Sequence, residues 1–181
     1  METTFLILLF TVLLQTVSYP LPKTYILVHG AWHEAWCWKK VVLMLEANGS
    51  RVLAIDLPGH GTDKTPMATV TLNDYVQRIV ASANAQTGPI ILVGHSKAGV
   101  AIAQAAEVLG KEKVSKLVFL DAFMPDNGDS VFSLAGKAEA QNKAAGKPVL
   151  KPSVSESMVL SEDKKTSRIK PELVKILFYH D

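Results

Sequence analysis

Residues 89–99, PIILVGHSKAG, restrict the possible folds more than any other part of this sequence. The run Ile90, Ile91, Leu92 and Val93 is continuously apolar and rich in β-branched residues, the pattern of a strand covered on both faces. Gly94-His95-Ser96-Lys97-Ala98-Gly99 then turns the chain, and an alanine-rich helical pattern follows, with Ala101, Ala105 and Val108 as its inner face and Gly110 as its stop. A serine at the apex of such a strand-to-helix turn is held out of the sheet with its hydroxyl exposed. The tight backbone needs small neighbours, which Gly94 and Ala98 supply, and Gly99 lets the helix approach the strand.

The remaining sequence repeats this alternation of strand and helix, which predicts an α/β fold with a parallel sheet flanked by helices. Residues 24–29 (TYILVH), Arg51–Ile55 and residues 114–120 (VSKLVFL) read as further strands. Trp38, Val41, Val42 and Leu45 recur at helical spacing up to Asn48. Thr71 opens a helix with Asp74 as its capping-box partner and Tyr75, Ile79 and Ala83 on its inner face. A chain of 181 residues, 48% hydrophobic, can bury one real core. Composition shifts at Asp121. Residues 130–170 are rich in Lys, Ser, Ala and Glu, and predict an irregular helical excursion above the strand ends, not more sheet. Pro171 opens one more helix with Leu173, Leu177 and Phe178 inward.

Charge excludes one class of partner. The formal net charge is +2, and the 20% of charged residues are interleaved in sign, so no basic face for nucleic acid is present. Residues 5–17 are almost wholly apolar, yet too short for a bilayer-spanning helix. The small residues Thr16 and Ser18 suit a signal-peptidase site, with Tyr19 as the mature start, although Glu2 stands where a basic residue is usual. The expectation is a cleaved secretory signal over residues 1–18, a lumenal or secreted protein and no stable membrane span; an uncleaved anchor or a buried first strand are the alternatives. Cys37 is the only cysteine, which excludes an internal disulfide and fits a small buried apolar residue. Asn48-Gly49-Ser50 reads equally as a glycosylation acceptor and as a helix stop with Gly49 left-handed.

Ser96 is the candidate catalytic nucleophile. An acyl-transfer nucleophile needs backbone amides aimed at the developing oxyanion. In this architecture they come from the residue after the nucleophile and from the loop after the first strand, so the N–H groups of Lys97 and of Ala31 in His29-Gly30-Ala31-Trp32 are the candidates.

Together YILVHGAWHEAWCW, AIDLPGHG, ILVGHSKAG and LVFLDAFMPDNGDS resemble the α/β-hydrolase superfamily, above all its plant methylesterase and hydroxynitrile lyase branch and the related bacterial esterases. The match runs from Thr24 to about Ser133, and the final LFYHD is similar to that family's cap region. The resemblance implies a partial α/β-hydrolase core over residues 19–121 and the start of a helical cap over 122–181. It implies an ester hydrolase acting on a small-molecule ester through Ser96, with Ala31 and Lys97 as oxyanion donors and no metal or organic cofactor.

Two departures matter. Lys97 replaces a usually aromatic or aliphatic residue, and its long stem leads us to expect the ammonium in solvent. The second departure lies downstream, where the family places its acid and histidine after later strands; this sequence reaches Asp181 without them, so a C-terminally truncated member is expected. Asp121 is the possible orienting acid. None of His29, His33, His60, His95 and His180 stands in the expected chain order for a base. The fourth strand is then expected to be an exposed apolar edge open to self-association. The alternative function is a catalytically inactive remnant that binds a small molecule or a protein. Cyanohydrin cleavage is a third reading, for which no lysine can be assigned.

Overall fold

The computed structural model describes residues 22–147 and 152–179. The predicted signal segment, His180 and Asp181 lie outside the described residues. Four parallel strands form the main sheet: β1 (Thr24–Val28), β2 (Arg51–Ile55), β3 (Ile90–Ser96) and β4 (Val114–Ala122), in the order β2-β1-β3-β4. Three helices connect them, α1 (Lys39–Ala47), α2 (Leu72–Asn84) and α3 (Ala98–Leu109).

The period-two alternation of strand side chains divides the core between the two sheet faces. Ile26, Val28, Ile55 and Leu92 pack on one face against Val76, Ile79 and Ala83 of α2 and Ala101, Ile102 and Ala105 of α3. Leu27, Ile91 and Val93 pack on the other face against Trp38 and the partly buried Val42 and Leu45. Both central strands, β1 and β3, are thus covered on both sides, as their unbroken apolar runs require. Cys37 joins the second cluster as a half-buried free thiol, and burial pushes its pKa up to about 11.

The inner face of α3 differs from expectation. Val108 is 59% exposed, and Ile102 takes the inward position instead, because the buried row is Ala98, Ala101, Ile102 and Ala105. Helix α3 comes so close to the chain after β4 that a Cβ on Gly99 would strike the Phe123 backbone.

The region after β4 is partly a correction. Helix α4 (Val131–Ala144), the short turn α5 (Val154–Ser157) and α6 (Pro171–Phe178) are the expected helical excursion. Between α5 and α6, however, β5 (Met158–Leu160) pairs antiparallel with β6 (Ser167–Ile169). Three-residue strands are too short to show an alternating pattern, so this hairpin left no periodic signature in the sequence. Strand β4 is one edge of the sheet, β2 the other. Strand β4 exposes Leu117, Val118 and Leu120, which lie on both of its faces.

Candidate active site

Strand β3 ends at Ser96, whose φ is +55°, in the left-handed region that a residue with a Cβ enters only at a cost. The conformation lifts the side chain out of the strand direction immediately before α3 begins at Ala98. Gly94 permits it, since a Cβ there would meet the Ala98 carbonyl group and the end of Ile102. Across the sheet, the Phe123 N–H donates to the Ser96 carbonyl at 3.2 Å, and the β3–β4 register slips between His95 and Ser96.

The loop after β1 reaches the same point. A Cβ on Gly30 would lie 2.8 Å from His95 Nδ1 and 3.0 Å from Ser96 Cβ, so only glycine lets this backbone lie against the serine. Ala31 follows directly, and Trp32 then takes φ +57°. Asp121, at the end of β4, takes φ +44°. Three of the four non-glycine residues with positive φ among the described residues thus stand at the carboxyl ends of β1, β3 and β4. Strain of this kind concentrates at functional sites. The structure brings Gly30, Ala31, His95, Ser96 and Lys97 together, with Asp121 close enough for its carboxylate to act on the His95 ring.

The imidazoles have separate employments. His29 is fully buried; its Nε2 accepts from the Leu57 N–H at 3.2 Å and its Nδ1 donates to the Gly30 carbonyl at 2.8 Å. Burial holds it neutral, with a pKa lowered to about 4, and it braces the loop from below. His60 donates from Nδ1 to the Pro58 carbonyl, and burial, then the Lys97 charge, lower its pKa. His33 bonds the Ala31 carbonyl through Nδ1, and its ring stands 6.4 Å from that of His95. Burial depresses the His95 pKa and the neighbouring His33 depresses it further, against the opposing pull of Asp121. Among the described residues no imidazole hydrogen-bonds the Ser96 hydroxyl.

Lys97 corrects an expectation. Its ammonium turns inward: Nζ donates to the Tyr75 hydroxyl at 3.1 Å and lies 4.6 Å from the Tyr75 ring centroid. No carboxylate among the described residues pairs with it, and burial lowers its pKa to about 8. Asn48, by contrast, is far from this chemistry. It follows α1 at the opposite end of the sheet, its Nδ2 donates to the Met44 carbonyl, and Gly49 takes φ +76°, as a helix stop requires; the asparagine remains exposed.

One part of the site had no sequence signal. The Trp32 indole N–H donates to the Ser167 hydroxyl at 3.1 Å, across 135 positions of chain, and ties the loop after β1 to the β5–β6 hairpin. Phe178 of α6 packs near Trp32 and stacks edge-on to His33, with ring centroids 4.9 Å apart. Only the tertiary fold brings these residues together.

Comparison with known proteins agrees with this geometry. The Alpha/beta hydrolase family profile matches residues 25–168. Over 108 residues the chain is 41% identical to Methylesterase 7 of Arabidopsis thaliana, covering 58% of this chain and 41% of that protein. The Alpha-hydroxynitrile lyase of the same plant is 39% identical over 105 residues, 56% of this chain and 40% of its own length. The chain thus spans about two fifths of the length of these curated relatives. A crystal structure of a tomato Methylketone Synthase I variant superimposes with a TM-score of 0.69 at 29% identity, covering 88% of this chain and 61% of that one. With the strand-turn-helix at Ser96, the four-stranded parallel sheet and these matches, the chain belongs to the Alpha/beta hydrolase family.

Proposed function

We propose that this protein is a serine-dependent carboxylic ester hydrolase that acts through an acyl-enzyme on Ser96. The observation that carries the reading is the left-handed Ser96 with the Gly30 backbone laid against its side chain. Ser96 Oγ attacks the ester carbonyl carbon as its proton passes to a base. The carbonyl oxygen, now negative, takes hydrogen bonds from the Ala31 and Lys97 N–H groups. Collapse expels the alcohol with a proton, and water then releases the acid and restores the hydroxyl. Asp121, at the rim, serves as an orienting acid. The segment after β4 acts as the cap over the site. On the character of residues 1–18 we place the activity in the secretory pathway, and the exposed β4 edge as a surface for self-association. Among the described helices none is long and apolar enough to cross a membrane.

A second reading rests on one observation: among the described residues no base contacts Ser96. On that reading the chain binds small esters or a partner without turning them over. Treating the purified protein with a fluorophosphonate probe separates the two. The esterase reading predicts labelling of the wild-type chain and none of Ser96→Ala. Equal labelling of both, or of neither, favours the binding reading.

A further inference from the structure

A pocket of about 310 Å³ opens between the loop after β1 and the β5–β6 hairpin with α6. Its walls are chemically uneven. Trp32, His33, Phe178 and Tyr179 contribute rings, and Ile169 and Val174 contribute aliphatic surface. Arg168 of β6 supplies the pocket's cation, and no carboxylate lines it among the described residues. The adjoining Ser167 hydroxyl is occupied by the Trp32 indole. The Arg168 side chain makes no hydrogen bond or ion pair with any described residue, unlike those of Arg78 and Lys137, which hold carboxylates.

Two features of Trp32 mark this as a built pocket. Trp32 is a bulky residue held at φ +57°, a conformation retained only where the surroundings over-determine it. Its indole also bonds Ser167, which places the ring against the hairpin next to Arg168. Rings on the walls suit a flat apolar group. A planar guanidinium with free donors suits a carboxylate, which it can grip through two parallel hydrogen bonds. The volume lies at the small end for ligand pockets, so the occupant is compact.

We infer that this pocket binds a free carboxylate carried on a compact apolar ring, and that the preferred esters are acidic half-esters, which keep one carboxylate while the other is esterified. Arg168 is the specificity-determining residue and Trp32 the wall that fixes its partner. The preference among esters rests on the hydrolase reading of Ser96; the carboxylate site does not.

The test titrates the non-hydrolysing Ser96→Ala protein with monomethyl phthalate and with dimethyl phthalate, by calorimetry or by ligand-observed NMR. The acid should bind at least tenfold more tightly than the neutral diester. In Ser96→Ala/Arg168→Gln that preference should fall to near unity, with the binding of the diester unchanged. Arg168 is exposed, so the second variant should keep the melting temperature of the first. Equal affinity for the two ligands, or a preference that survives Arg168→Gln, overturns the proposal. If the wild-type chain fails to take a fluorophosphonate while the Arg168-dependent preference stands, the hydrolase reading falls and the carboxylate pocket remains.

Discussion

At Ser96 the backbone conformation costs on the order of 1–3 kcal/mol, and small residues around it make that conformation attainable. Gly30 is the most exacting of these, because its missing side chain is the space in which the β1 loop meets Ser96 and His95. Gly30→Ala should slow fluorophosphonate labelling of Ser96 at least tenfold while leaving the circular dichroism of the sheet and helices unchanged; an unaltered rate would show that the loop does not serve the serine. Lys97 carries a different liability, a largely buried ammonium whose partner is a neutral hydroxyl. Its pKa falls from 10.5 to about 8 in the fold, a penalty on the order of 3 kcal/mol. Below pH 8 folded and unfolded chains are both charged and the penalty is complete. Between pH 8 and 10.5 only the unfolded chain holds the proton, so stability should rise with pH through that window. Lys97→Met should be more stable at pH 7 in urea titrations and should lose this rise; the same slope in both proteins would contradict the assignment. At this scale the strained turn at Ser96 and the small Gly94 beside it were legible, because turn chemistry is local; the close approach of Gly30 was not. The inward course of Lys97 was not, because it depends on Tyr75, a residue of another helix.

Elements were legible where their signals are short-ranged. Thr71 caps α2 through a full capping box with Asp74, as the spacing of the two residues predicts. Thr71→Ala should therefore destabilise the protein by about 1 kcal/mol in urea titrations, with activity retained. A loss below a few tenths would mean that packing alone holds α2. Helix α3 ends at Gly110 as expected, but Ile102 and not Val108 lies on its inner face, since several alanines leave that face poorly defined by pattern. Strand β3 continued past Val93 to Ser96, beyond the apolar run, because pairing with β1 and β4 carries the ladder through Gly94 and His95. The β5–β6 hairpin escaped notice altogether; its six residues gain their meaning from the Trp32 bond.

In the whole molecule, the sheet order β2-β1-β3-β4 puts the two most apolar strands in the middle and gathers the loops after β1, β3 and β4 at one end. Open parallel sheets place their chemistry outside the carboxyl ends of their strands, and here that end holds Gly30, Ser96 and Asp121 together. The topology was readable from the alternation of strands and helices; the pocket walls were not, since Trp32 and Ser167 meet across 135 positions. The chemistry at that end turns on the acylation of Ser96. Intact-mass analysis of the protein shortly after mixing with p-nitrophenyl butyrate, followed by peptide mapping, tests it most directly. One butyryl group should appear on the peptide that contains Ser96, and none on Ser96→Ala. An unmodified protein, or a butyryl group carried equally by Ser96→Ala, would contradict it.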